Sequence, residues 1–232
     1  LYVLDKAGSV AAQLTDNHSH DGQPEWSPDS KRIAFKSDRT GNVELFVMQS
    51  DGSDVRQITD NAGEDWSPAW SPDGEFLAFA SNRNGKFDIF SMRPDGSELR
   101  QITEHPMNDW FPTWSPDGSL LAFASNRNGN WDLFVMRPDG AELRQVTDGV
   151  GDNWLPSWSP DGDRLLFIAS DGVNVMNADG SNRTLLASGT VNAPVFSFDG
   201  SRIAYAKQAG GNWDIWAMDA DGSNQIQLTL GS

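Results

Sequence analysis

Trp70-Ser71-Pro72-Asp73-Gly74 opens a 34-residue stretch, 70–103, that recurs at 114–147 with only 8 differences. Working outward, the same pentapeptide begins at Trp26, as Trp26-Ser27-Pro28-Asp29-Ser30, and again at Trp114 and Trp158. A weaker copy is Phe196-Ser197-Phe198-Asp199-Gly200. The spacings are 44, 44, 44 and 38 residues. Two further markers keep the same period. Asp-Gly stands at 51–52, 95–96, 139–140, 179–180 and 221–222, and Gln-aliphatic-Thr at 57–59, 101–103, 145–147 and 227–229. A fixed period of this length is the signature of stacked supersecondary units.

Each unit reads as four short strands. In the second, Pro68-Ala69-Trp70 leads to the Ser-Pro-Asp-Gly turn. Phe76–Ala80 is an apolar run expected to be buried on both faces. Asn84-Gly85 marks a hairpin. Phe87–Met92 is the third strand, Pro94-Asp95-Gly96-Ser97 a further turn, and Leu99–Thr103 an alternating outer strand. No segment sustains a helical period. One such sheet cannot bury both faces alone, so sheets packed around an axis, the β-propeller, solve the problem.

The expected fold is therefore all-β, a single propeller domain over 1–232. It has five complete blades at about 20–60, 64–104, 108–148, 152–188 and 190–230, preceded by a half-blade at 1–15 (Leu1–Asp5 as a third strand, Ala11–Thr15 as a fourth). Two strands are wanting for a sixth blade. The chain is then a fragment, or an open ring, or its free edges accept strands from another chain. A five-bladed ring with the hairpin packed outside is a further arrangement. The fourth unit is shortened to a tight turn at Asp171-Gly172.

Composition narrows the function classes. With 17 Lys and Arg against 33 Asp and Glu, the net charge is −16. That argues against nucleic acid, which requires clustered positive charge, and against anionic lipid. It permits a basic protein partner. There is no Cys, hence no disulfide or thiolate chemistry. No apolar run is long enough for a membrane helix. Gly-x-Ser-x-Gly, P-loop and dinucleotide signatures are absent.

The pattern Pro-x-Trp-Ser-Pro-Asp-Gly, Ile/Leu-Ala-Phe-x-Ser, Asp-Ile/Leu-Phe-x-Met, Asp-Gly-Ser, Arg-Gln-Ile-Thr resembles the TolB-type propeller repeat over nearly the whole chain. The resemblance implies six-bladed geometry, a periplasmic or extracellular location, and partner binding at one disc face. It also covers propellers attached to peptidases.

Strand alternation puts the Ser-Pro-Asp-Gly and Asp-Gly-Ser turns on one face and the interblade segments on the other, around the channel mouth. There Asp21, Asp65, Asp109 and Asn153 hold one repeat position, and Trp66, Trp110 and Trp154 follow their acid or amide. These seven are the expected partner-binding residues. An oxygen-rich ring suits Ca²⁺ or Mg²⁺, whereas Trp beside Asp suits a peptide or sugar. Arg39, Arg83 and Arg127 each precede an acid by five residues (Glu44, Asp88, Asp132), predicting exposed cross-hairpin ion pairs of little energetic weight. His18, His20 and Asp21 form a weak zinc-like cluster. The leading expectation is a non-catalytic protein- or peptide-binding module without a cofactor. The rivals are a peptidase-associated or lyase-like propeller and a component of a surface assembly.

Overall fold

The computed structural model describes residues 1–4, 10–148 and 151–229. Asp5 of the expected N-terminal strand and Leu230 to Ser232 of the last blade lie outside them. Two strands, β1 (Tyr2–Leu4) and β2 (Val10–Gln13), pair antiparallel as a separate two-stranded sheet. The first blade comprises β3 (Gly22–Trp26), β4 (Arg32–Ser37), β5 (Glu44–Gln49) and β6 (Arg56–Gln57). The second is β7 (Asp65–Trp70), β8 (Leu77–Ser81), β9 (Asp88–Met92) and β10 (Arg100–Gln101). The third is β11 (Asp109–Trp114), β12 (Leu121–Ser125), β13 (Asp132–Met136) and β14 (Arg144–Gln145). The fourth is β15 (Asn153–Trp158), β16 (Arg164–Ala169), β17 (Gly172–Asn177) and β18 (Thr184–Ser188). The fifth is β19 (Val191–Phe196), β20 (Arg202–Ala209), β21 (Asn212–Asp219) and β22 (Ile226–Gln227). Each blade is one antiparallel meander in sequence order.

The repeated residues explain the local geometry. In the first turn, Ser71 donates its hydroxyl to Asp73, whose Oδ1 also accepts the Glu75 N–H at 2.9 Å, and Gly74 takes φ 71°. Gly74 is needed because only glycine enters this region freely. The Gln-aliphatic-Thr marker fastens the outer strand. Thr147 Oγ1 accepts the Leu133 N–H at 2.8 Å and donates to Asp132 at 2.8 Å, while Gln145 Nε2 donates to the other Asp132 oxygen at 2.9 Å. These side-chain bonds do the work of a ladder. In the first three blades and the fifth, the outer strand is only two residues long, not the five expected at Leu99–Thr103.

The core lies between sheets. Ala122, Leu133 and Val135 of the third blade pack with Trp158, Leu165, Phe167 and Met176 of the fourth. Blades two and three, and four and five, make equivalent clusters. The turns also abut, with Pro28, Pro72, Pro116 and Pro160 lying against Gly74, Gly118, Gly162 and Gly200 of the next blade. At the far side of the fifth blade this pattern stops. Ile215 is 38% exposed, whereas the equivalent Leu45, Ile89 and Leu133 are fully buried, and Phe198, in the Pro position, is completely exposed. At the other end, Leu1 and Leu14 pack on Ile33, Phe35, Phe46 and Met48 of the first blade.

The innermost strands β3, β7, β11, β15 and β19 each carry a bulge. At each bulge a residue in the left-handed region precedes a proline: Gln23 (φ 50°), Ser67 (55°), Phe111 (55°), Leu155 (52°) and Ala193 (45°). These five dipeptides line the central channel, a cavity of about 510 Å³.

Candidate functional site

The face carrying the interblade segments and second hairpins has a buried polar belt beneath an aromatic surface. The belt begins with strand register. Asp65, Ser81 and Asp88 form one row across the second sheet, and Asp109, Ser125 and Asp132 the matching row in the third. Arg83 bonds Ser81 Oγ through Nε at 2.8 Å and Asp65 through its terminal nitrogen at 3.0 Å. Arg127 does the same with Ser125 and Asp109, and Arg39 with Ser37 and Asp21. Each guanidinium also sits over a stacked Phe pair, 4.7–5.5 Å from the ring centres: Phe35/Phe46, Phe79/Phe90 and Phe123/Phe134. The pairing expected with Glu44, Asp88 and Asp132 is therefore corrected. Those acids are occupied by the Thr clamp, and the Arg turns to the other end of the row, inside the fold and not on its surface.

Acids from adjacent blades meet in this belt. Asn61 Nδ2 bridges Glu44 of the first blade (3.3 Å) and Asp65 of the second (2.8 Å). Desolvation raises Glu44 and Asp132 above the usual carboxylate range. It also carries Asp88 to about 6, with repulsion from Asp109 adding to it. At Asp21 burial works upward too, but bonds from Ser37, Arg39, Asn17 and Thr15 outweigh it and bring the carboxyl to about 2. In the fourth blade, the two-residue loop Ser170-Asp171 leaves no place for the Arg, and the acid position is Asn153, whose Nδ2 donates to Asp132 at 3.2 Å. The three junctions from the first blade to the fourth thus each keep one net negative charge, as two acids with one Arg or one acid with an amide, whereas the fourth–fifth junction has Gly172 and Val191 at those positions.

Of the seven expected partner-binding residues, Asp65, Asp109 and Asn153 are buried in this belt and Asp21 is committed to Arg39. They form no open oxygen ring. His20 bonds Asp38 (2.9 Å), whereas Asp21 is paired with Arg39. Among the described residues, no group of three or more His, Asp or Glu is placed to hold a metal ion.

Trp66, Trp110 and Trp154, by contrast, are half-exposed and joined. Trp66 and Trp110 lie 5.8 Å apart, Trp110 and Phe111 5.5 Å, Phe111 and Trp154 6.1 Å. Phe87 backs Trp110 at 4.2 Å and Trp131 backs Trp154 at 4.1 Å. Between them is a cleft of about 490 Å³ edged by Lys86 and Asn108. Phe87, Phe111 and Trp131 complete an arc that the reading by repeat position had left out. The arc ends over the first blade, where Gly22 stands at the Trp66 position and Lys36 at the Ala80 position. The Lys36 ammonium lies 3.6 Å from the Trp66 ring centre. Aligning the repeats would have exposed this exchange of Trp and Ala for Gly and Lys.

Residues 58–232 match the family model described as TolB beta propeller domain. Solved structures of similar shape include TolB from Acinetobacter baumannii (20% identity, TM-score 0.83, 97% of this chain and 58% of that one). A chain of a nidogen/laminin complex aligns at 14% identity and TM-score 0.81, over 97% of this chain and 87% of that one. An oligogalacturonate lyase in complex with manganese aligns at 15% and 0.70, over 98% and 71%. At such identities the likeness is one of fold. The chain spans 58% of the length of the Acinetobacter protein. No curated protein matches it. No described helix is long and apolar enough to cross a membrane.

Proposed function

We propose that this chain, which belongs to the TolB beta propeller family, is a non-catalytic module that binds a protein or peptide through the aromatic arc. The observation that carries the reading is the continuous, half-exposed row Trp66, Trp110, Phe111 and Trp154 on one disc face. Clustered Trp residues over a preformed cleft are the usual anchors of an interface, since they bury much area at little entropic cost. The net charge of −16 favours a basic partner and speeds its encounter. The reading needs no cofactor and no catalytic residue.

Two finer points belong with it. The bare far face of the fifth blade and the two-stranded sheet on the first blade support a six-bladed ring, with the sheet as half of the sixth blade. A periplasmic or extracellular location follows the family resemblance. The test is substitution of Trp110 and Trp66 by Ala. Partner or selected-peptide affinity should drop by about 2 kcal/mol or more while the melting temperature stays within a few degrees. Equal loss of both would show that these rings are core.

A further inference from the structure

The central channel opens beside the docking face and shares Phe111 with its cleft. Its lining carries one charged side chain, Glu25, where the other blades place Ala69, Thr113, Ser157 and Val195. The Glu25 carboxyl makes no hydrogen bond or ion pair among the described residues. Beside it in the lining stands Ser67, 8% exposed, whose hydroxyl also has no partner. Ser67 is held in the left-handed region at φ 55°, and its N–H bonds Gln23 Oε1 at 2.9 Å. A carboxyl without a protein partner among the described residues, facing a cavity walled by proline rings, forms a cation-accepting seat, while the Ser67 hydroxyl lies closed off beneath the wall.

We propose that the channel binds one organic ammonium, such as the side chain of a lysine. A single carboxylate balances one positive charge, whereas Ca²⁺ requires six to eight oxygens and, among the described residues, no acid or His cluster supplies them. The proline walls and Phe111 would cover an alkyl stem while its head reaches Glu25. Phe111 lines both the channel and the aromatic cleft, so a partner seated on the arc could extend such a side chain inward. Glu25 remains in contact with channel water, yet the walls displace enough of it to push its carboxyl up to about 7. Among the described residues, no other titratable side chain lines the cavity. Binding should therefore release a proton and weaken as pH falls from 8 to 6.

The probe is n-butylammonium chloride, titrated into protein carrying carbonyl-labelled glutamate and followed by NMR and calorimetry at pH 8, against sodium chloride of equal ionic strength. One Glu signal should move saturably with Kd of roughly 10 mM, as suits five heavy atoms. Glu25→Gln should abolish the saturable heat, and Trp110→Ala should leave it unchanged. That last variant separates failure of the seat from failure of the docking face. The inference is overturned if Glu25→Gln binds the probe as well as the parent does, if no saturable shift appears, or if calcium chloride binds in place of the ammonium.

Discussion

Replacing Arg127 by Ala should be among the most damaging single changes on the mouth face. Its side chain is 11% exposed and Asp109 is fully buried. Asp109 already lies close enough to Asp88 to help raise it. Removing one partner of such a pair leaves an uncompensated buried charge, at a cost of about 3 kcal/mol. For a chain of this size that corresponds to a fall of roughly 6–12 °C in melting temperature. The fourth blade shows the remedy, because its junction runs without Arg by having Asn153 in place of the acid. Arg127→Ala combined with Asp109→Asn should therefore lose only about 1 kcal/mol, for the contact with Phe123 and Phe134. The coupling energy is then at least about 2 kcal/mol, larger by whatever Asp109→Asn costs alone. Urea unfolding of parent, both single variants and the double variant measures it. A double variant no more stable than Arg127→Ala would refute the charge-matching argument.

Three further outcomes follow from the same geometry. Glu44, Asp88 and Asp132 have raised folded-state values, so the native chain holds their protons more tightly than the unfolded one. Stability should rise as pH falls from 7 toward about 5, then decline below about 4, where Asp21 and Asp199, both near 2, must protonate; a melting curve that falls steadily from pH 7 to 5 contradicts this. Gly172→Ala places a Cβ 2.0 Å from the Ala187 carbonyl at φ +136° and should cost several times more than Gly210→Ala, which meets open space; equal melting temperatures would rule it out. Ile215→Ala, at a face left partly bare, should cost less than about 1 kcal/mol, against about 2–5 for Ile89→Ala in a filled wedge; equal losses would mean that the fifth blade is already covered.

The blades were legible because the chain writes its turn chemistry five times. Ser71, Asp73 and Gly74 satisfy one another locally, so their order in the sequence determines the geometry. The Trp positions of the mouth were legible for the same reason. The Arg partners were not. Strand register makes Asp65, Ser81 and Asp88 one row, and spacing alone cannot say toward which end of it Arg83 turns. That choice belongs to Thr103 and Gln101, which bond Asp88 first. The same buried row removed Asp65 and Asp109 from the surface that their repeat position had assigned to them. Glu25 escaped notice because a single carboxylate in a chain rich in them becomes distinctive only once five strands enclose it.

Display selection of random peptides on the immobilised protein, with affinities then measured against three variants, tests the docking surface most directly. Enriched peptides should carry basic residues, lose at least about tenfold in affinity to Trp110→Ala and Trp154→Ala, and be indifferent to Phe198→Ser on the opposite rim. Peptides that keep their affinity for both Trp variants and lose it with Phe198→Ser would place recognition on the other face and contradict the assignment.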